Sequence, residues 1–122
     1  MIATDNDAQL VTKIVNLYFD GTYRGNIDQL KSAFHSEAHI TGSLNGQIYD
    51  WTLVDFMARV TAIPTSESKG EKYDKEIIFM DITHNAAMVK ARVVVDSLIF
   101  TDYITLLKIN GQWLIRNKSF TD

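Results

Sequence analysis

The N-terminal part of the chain carries apolar residues at the three- and four-residue spacing of an amphipathic helix. The stripe comprises Leu10, Val11, Ile14, Val15, Leu17 and Tyr18, and it predicts a helix over residues 5–23. Gly25 ends this helix. Asn26, followed three residues later by Gln29, resembles a capping box and predicts a short second helix. The inward side of that second helix carries Ile27, Leu30 and Phe34.

From residue 35 the period changes from helical to alternating, which predicts a strand over residues 35–44. Asn45-Gly46 is a strong hairpin signal that returns the chain as a second strand. Asp50 or Thr52 then caps a third helix, which must stop before Pro64. The polar residues 65–74 predict the longest loop of the chain.

The remainder of the chain reads as long strands joined by short turns. The predicted strands cover residues 76–83, 86–96, 98–109 and 112–120. Such spacing predicts an antiparallel meander. The whole pattern predicts a single α+β domain over residues 1–122, with three N-terminal helices packed on a strongly curved antiparallel sheet of about six strands.

Composition narrows the classes of function. The 122 residues are 46% hydrophobic and contain no apolar run of the roughly 20 residues that span a bilayer. The net charge of −3 is scattered, so neither nucleic acid nor a membrane is expected as a partner. The polar start, Met1 to Asp7, differs from a signal peptide, and we expect a cytoplasmic protein. Cysteine is absent, which removes disulfides and thiolate metal sites.

Two segments resemble a known superfamily. One is YFDGTYRGNIDQLKSAFHSEA from Tyr18 to Ala38, and the other is FTDYITLLKINGQWLIRNKSF from Phe100 to Phe120. The chain resembles the nuclear-transport-factor-like superfamily, also called SnoaL-like or cystatin-like, and within it the subgroup labelled putative lumazine-binding. The resemblance covers nearly the whole chain and implies an α+β cone with a ligand pocket. The superfamily includes isomerases, dehydratases, cyclases and transport factors, so the resemblance indicates fold more strongly than function.

The ketosteroid isomerases of this superfamily use a tyrosine and a protonated carboxylic acid as an oxyanion hole, with an aspartate as base. Carried over by position, the tyrosine falls on Tyr18, the base on Gly42 and the acid on Thr105. Two of the three groups are missing, so steroid isomerisation by that mechanism is not expected.

The same positional comparison with ketosteroid isomerases implies that the side chain of Thr105 faces the helices. Because side chains alternate along a strand, this assigns the residues of the neighbouring strands to the inner or the outer face. The predicted pocket is apolar with a few hydroxyl groups and one amide, as ligand pockets are. Its predicted ligand-binding residues are Tyr18, Tyr23, Phe34, His35, Phe56, Thr101, Tyr103, Thr105, Trp113 and Asn117. His35 is the candidate base among them. His35 and His39 lack the His-Glu-x-x-His pattern and a third ligand, so no metal and no cofactor are predicted.

The opposite face of the sheet carries more large apolar side chains than a solvent-exposed sheet face normally does. This predicts a homodimer that buries that face. The predicted interface residues are Phe100, Ile104, Leu106, Leu114, Arg116 and Phe120. Asp102 is predicted to lie among them in a salt bridge across strands, with Arg116 or Lys118 as its partner.

Three functions remain open from the sequence. The first is a small-molecule-binding domain with an apolar pocket and an unknown ligand. The second is an acid–base enzyme of isomerase, dehydratase or cyclase type that acts on a small apolar or cyclic substrate. The third is a dimerising scaffold whose interior is filled by its own side chains. An empty cavity inside the cone would weigh against the third.

Overall fold

The computed structural model describes residues 5–122. The predicted domain and its polar start both begin at residue 1, so their first four residues lie outside the described part. Three helices form the N-terminal part: α1 (Asp5–Arg24), α2 (Ile27–Ala33) and α3 (Leu53–Ala62). Six strands complete the chain: β1 (Phe34–Leu44), β2 (Gln47–Thr52), β3 (Lys75–Thr83), β4 (Ala86–Val95), β5 (Leu98–Ile109) and β6 (Gln112–Thr121). The predicted elements are therefore all present, with bounds that differ by one or two residues.

The residues predicted to begin and end the helices do so in the structure. Gly25 takes a φ of +68° just after α1, a conformation that costs glycine little. The Asn26 side chain caps α2 by accepting a hydrogen bond from the backbone N–H of Gln29 at 3.2 Å. Of the two candidate caps for α3, Thr52 is the one that acts, because its hydroxyl accepts from the N–H of Asp55 at 3.1 Å.

The six strands form one strongly curved sheet in the order β2-β1-β6-β5-β4-β3, and it does not close into a barrel. The strands β3 to β6 form the predicted antiparallel meander, and β1 and β2 form the predicted hairpin. These two units join through a parallel pairing of β1 with β6, so the sheet predicted to be antiparallel is antiparallel in four of its five pairings and parallel in this one. Register shifts interrupt three of the pairings and help the sheet to bend.

The helices cover one face of the sheet and form the core with it. Val11, Val15, Leu30, Ile40 and Ile115 are fully buried there. Near the start of α1, the indole N–H of Trp113 donates to a carboxylate oxygen of Asp7 at 3.2 Å, which fixes the helix on β6. None of the helices within residues 5–122 combines the length and the apolar character that crossing a membrane requires.

The face assignment of β5 predicted from the sequence is wrong. Asp102, Ile104 and Leu106 point into the core, with at most 1% of each side chain exposed, whereas Tyr103 is 48% exposed on the outer face. Thr105 is exposed as well. The strand is shifted by one residue relative to the expected register, and a shift of one residue moves every side chain to the other face.

On β6 the prediction is correct at the start of the strand and wrong at its end. Trp113 and Ile115 are buried as predicted, but Asn117 is exposed and Lys118 is buried. The physical reason is a register shift in the pairing with β5. Thr105 pairs with Asn117 while Leu106 pairs with Ile115, so β6 contains one extra residue at this point.

These shifts also correct the predicted dimer interface. Ile104 and Leu106 are core residues with 0% exposure, and they cannot contact a second chain. Phe100 and Phe120 lie on the helix side of the sheet, where they pack on each other at 5.9 Å between ring centroids. Of the six predicted interface residues, Leu114 and Arg116 remain at the outer face, where both are half-buried.

Candidate ligand pocket

A cavity of about 260 Å³ lies between α1, α3 and the curved sheet, and all six strands contribute side chains to its wall. Its wall is mainly apolar and aromatic, formed by side chains that include Trp51, Phe56, Val93, Phe100 and Phe120. The interior is therefore not filled by the protein's own side chains, which weighs against the scaffold hypothesis. Three polar side chains at the wall carry the chemistry of the pocket: Tyr18, Asp102 and Lys118.

The three polar side chains come from three elements and bind one another. The hydroxyl of Tyr18, on α1, donates to Oδ2 of Asp102, on β5, at 2.6 Å. The ammonium group of Lys118, on β6, donates to the Tyr18 hydroxyl at 2.8 Å and lies 4.0 Å from Oδ2 of Asp102. The side chains of Lys118 and Asp102 are only 6% and 2% exposed. Water screens this ion pair very little, so the pair differs from the surface salt bridge predicted for Asp102.

Aromatic rings surround the ammonium group of Lys118. Its Nζ lies 4.6 Å from the ring centroid of Tyr18, 4.8 Å from that of Phe56 and 5.4 Å from that of Phe120. The negative faces of aromatic rings attract a cation. The rings and Asp102 together replace part of the hydration that the buried ammonium group has lost.

Burial changes the acid–base properties of this cluster. Loss of water raises the pKa of Tyr18 well above its usual value, and the neighbouring charge of Asp102 raises it further. Tyr18 therefore remains a phenol and a proton donor at neutral pH. Burial lowers the pKa of Lys118, and the attraction of Asp102 opposes that shift.

Gly42, the position to which the resemblance carries the base of ketosteroid isomerases, has no space for a side chain. A Cβ atom added to Gly42 would lie 2.2 Å from the ring of Phe120, much closer than any real contact. Gly42 is thus required for the packing of Phe120, and no other residue type fits there without displacing the ring.

The structure places two of the ten predicted ligand-binding residues at the cavity wall, Tyr18 and Phe56. Phe34 is buried behind them, with its ring centroid 5.7 Å from that of Tyr18 and 6.0 Å from that of Phe56. It supports the wall without contacting the cavity. Trp113 is buried at the other end of α1, where it binds Asp7.

The other predicted pocket residues lie elsewhere. The Tyr23 hydroxyl donates to the carbonyl oxygen of Glu71 at 2.6 Å and fixes the loop before β3. His35, the predicted base, is half-buried outside the cavity, where its Nδ1 accepts from the N–H of Glu37 at 3.1 Å. Thr101, Tyr103, Thr105 and Asn117 are on the outer face, as the corrected registers require. Within residues 5–122, no three histidine and acidic side chains are grouped so that they could hold a metal ion.

Sequence reasoning missed Asp102, Lys118 and Lys75 as pocket residues. A usable signal was present on β5, because the alternating set Phe100, Asp102, Ile104 and Leu106 has larger apolar side chains than the set around Tyr103 and Thr105. A charged residue inside the more apolar set is the pattern of a buried functional group. No comparable signal exists for Lys118, since the bulge that turns it inward has no local signature.

Solved structures that superpose on this chain establish the class of its fold. It superposes on a protein from Silicibacter pomeroyi with a TM-score of 0.81 at 20% identity, covering 98% of both chains. It also superposes on proteins from Shewanella baltica (TM-score 0.84, 17% identity, 98% and 96% covered) and Methylobacillus flagellatus (0.82, 24%, 98% and 94%). All three are described as NTF2-like proteins of unknown function. The chain therefore has an NTF2-like, cystatin-like fold.

A family model identifies the family to which the chain belongs among proteins of this fold. The family model described as "Putative lumazine-binding" matches residues 6–121, and the chain belongs to this family. A more distant relative is an aldolase, FrzH, from a Cladobotryum species. It is 23% identical over 119 residues, which cover 96% of this chain and 92% of the aldolase.

Proposed function

We propose that this chain binds a small, mainly apolar carbonyl compound in its pocket and transfers protons at the carbon next to the carbonyl group. The observation that carries the proposal is the buried contact of Tyr18, Asp102 and Lys118 at the wall of a mainly apolar cavity. A carboxylate in such a place can remove a proton from carbon, and buried donors can stabilise the negative charge that develops on oxygen.

The division of roles follows from the hydrogen bonds. Asp102 uses Oδ2 for Tyr18, and its Oδ1 accepts no hydrogen bond from residues 5–122, so Oδ1 is the candidate base. Lys118 is the candidate donor to the carbonyl oxygen, because its ammonium group has N–H groups beyond the one given to Tyr18, whereas the single hydroxyl proton of Tyr18 goes to Asp102 and orients that carboxylate. This assignment keeps Tyr18 from the sequence hypothesis and replaces His35 by Asp102 as the base.

The similarity to an aldolase supports carbonyl chemistry. An aldol reaction requires removal of a proton next to a carbonyl group, and so do the isomerase and dehydratase reactions suggested from the sequence. We therefore propose the shared proton-transfer step and leave the rest of the reaction to be identified by experiment.

A second candidate is a binding domain without catalysis. It is favoured by the fact that Tyr18, Asp102 and Lys118 satisfy one another, as buried polar groups with a structural role do. In that case the cavity holds a ligand, and the cluster serves to orient it.

The two candidates are separated by measuring hydrogen exchange on carbon. Cyclohexanone, cyclopentanone and acetophenone are incubated with the protein in D₂O, and NMR follows both the loss of the protons next to the carbonyl and the shifts of protein signals on binding. The acid–base proposal predicts exchange faster than in buffer for at least one ketone that binds. Asp102→Asn should slow it by about 100-fold or more, which is the usual contribution of a general base.

His35→Ala is the matched control, because His35 was the base expected from sequence and lies outside the cavity. This variant should exchange at the wild-type rate. Ketones that bind in the cavity without any accelerated exchange would contradict the acid–base proposal and support the binding domain. Loss of exchange in His35→Ala with retention in Asp102→Asn would contradict the assignment of the base.

A further inference from the structure

Lys75 is a second lysine at the cavity wall, and the structure holds its backbone firmly. It begins β3 and pairs with Val93 on β4. Its two chain neighbours, Asp74 and Glu76, both accept hydrogen bonds from the guanidinium group of Arg92, at 2.8 and 2.9 Å. Because side chains alternate along a strand, this ion-pair cluster on one side keeps Lys75 directed to the other side, into the cavity.

The amine of Lys75 differs from that of Lys118 in having no assigned partner. Lys118 donates to Tyr18 and lies against three aromatic rings. The side-chain amine of Lys75 makes neither a hydrogen bond nor an ion pair with any residue in the described part of the chain. An unpartnered amine at the wall of an apolar cavity is available to react with what the cavity holds.

Burial, together with one neighbouring positive charge, favours the neutral form of Lys75. Burial and the positive charge of Lys118, on β6, lower the pKa of Lys75 to about 8. Asp102 on β5, Glu71 in the preceding loop and Asp20 on α1 act in the opposite direction with smaller effect. At pH 8 about half of Lys75 is then a free amine, whereas an ordinary lysine with a pKa near 10.4 is neutral in only about one molecule in 250.

We propose that Lys75 is a nucleophilic amine that forms an imine with the carbonyl compound bound in the pocket. This inference rests on the proposed function and specifies the way in which the substrate is activated. The lone pair of Nζ attacks the carbonyl carbon, and the π electrons move to the oxygen, which takes up a proton to give a carbinolamine. Loss of water then gives the protonated imine, whose adjacent carbon loses a proton more readily than that of the free ketone.

The neighbouring groups are placed to serve this reaction. Lys118 can supply the proton that the carbonyl oxygen takes up, and Asp102, oriented by the hydrogen bond from Tyr18, can remove the proton from the carbon next to the imine. While Lys118 is protonated, its positive charge adds to the effect of burial and favours the neutral, reactive form of Lys75. The two lysines thus have different functions, one as nucleophile and one as donor and charge neighbour.

Reductive trapping tests the proposal. The protein is incubated with cyclohexanone and sodium borohydride at pH 8, and intact-mass and peptide mass spectrometry locate the product. We expect one adduct with the mass of cyclohexanone less one oxygen atom, on Lys75. Lys75→Met should reduce the adduct at least tenfold. Lys72→Met, which removes an exposed lysine three residues earlier, should leave it unchanged. The yield on Lys75 should rise through about pH 8.

Each other outcome has a definite meaning. An adduct on Lys118, or an even distribution over exposed lysines, would overturn the assignment to Lys75. If Lys75→Met lowers both the yield of the trapped adduct and the rate of hydrogen exchange next to the ketone carbonyl at least tenfold, the imine route is supported. If Lys75→Met exchanges at the wild-type rate and no adduct forms, the inference is wrong while the proposed function stands. If the wild type neither exchanges nor traps any ketone that binds, both are wrong.

Discussion

Removing the charge of Asp102 should destabilise the protein strongly, because it leaves the buried ammonium of Lys118 without its counter-charge. Asp102→Asn keeps the shape of the side chain and an oxygen that can accept from Tyr18. The side chains of Asp102 and Lys118 are 2% and 6% exposed, so water cannot replace the lost charge. Breaking such a buried pair costs about 3–5 kcal/mol, and we expect about 3 kcal/mol since the aromatic rings around Lys118 remain.

The assay is urea denaturation followed by circular dichroism, with a double-mutant cycle. With a slope of about 2 kcal/mol per molar urea, Asp102→Asn should lower the midpoint by about 1.5 M. The double variant Asp102→Asn/Lys118→Met no longer buries an unpaired charge and should lie within about 1 kcal/mol of the wild type. The deficit of the single variant should also shrink as the pH rises through the lowered pKa of the buried lysine, because Lys118 is then neutral in the folded protein and leaves no unpaired charge.

An exposed pair provides the control. Arg24 and Glu67 lie 3.3 Å apart with side chains 53% and 55% exposed, so Glu67→Gln should change the free energy of unfolding by about 0.5 kcal/mol or less. The reasoning about the buried pair would be refuted if Asp102→Asn cost no more than this control. It would equally be refuted if the effects of Asp102→Asn and Lys118→Met were simply additive.

Three further predictions concern stability and assembly. Lys75→Met should stabilise the protein by up to about 3 kcal/mol at pH 7, because folding lowers the pKa of Lys75 to about 8; the gain should disappear between pH 8 and 10.5 in denaturation at a series of pH values. Gly42→Ala should cost about 1–3 kcal/mol, since its Cβ would meet the ring of Phe120, and an unchanged melting temperature would contradict this packing. The homodimer through the outer face of the sheet remains a proposal with other interface residues, since Phe79 and Tyr103 are 53% and 48% exposed there; light scattering should give about twice the chain mass of 13.9 kDa, and Tyr103→Glu should reduce it to the monomer.

Local sequence signals were sufficient for the elements and their order. Asn26 and Thr52 cap helices with their own side chains, and Asn45-Gly46 forms a turn in which both residues have positive φ. Each of these features depends on residues only a few positions apart. For that reason caps, turns and the alternation of the long strands could be predicted without knowledge of the tertiary structure.

The faces of the last two strands depended on contacts that the local pattern does not contain. On β5 both alternating sets include apolar residues, so the larger apolar side chains of the set around Asp102 were the one local sign of its inward face. On β6 one extra residue in the pairing with β5 turns Lys118 inward after Ile115. A bulge follows from how two strands fit together and is not determined by the sequence of either strand alone.

The sequence by itself therefore determined an α+β fold with three helices on a curved sheet, and it identified Tyr18 as a pocket residue. The tertiary structure decided which charges meet there. Asp102 and Lys118 are sixteen positions apart on neighbouring strands, and Tyr18 reaches them from a helix near the other end of the chain. A charged residue in a strand normally faces water, and these two are buried because each supplies the opposite charge that the other requires. Such mutual dependence arises only when the chain is folded.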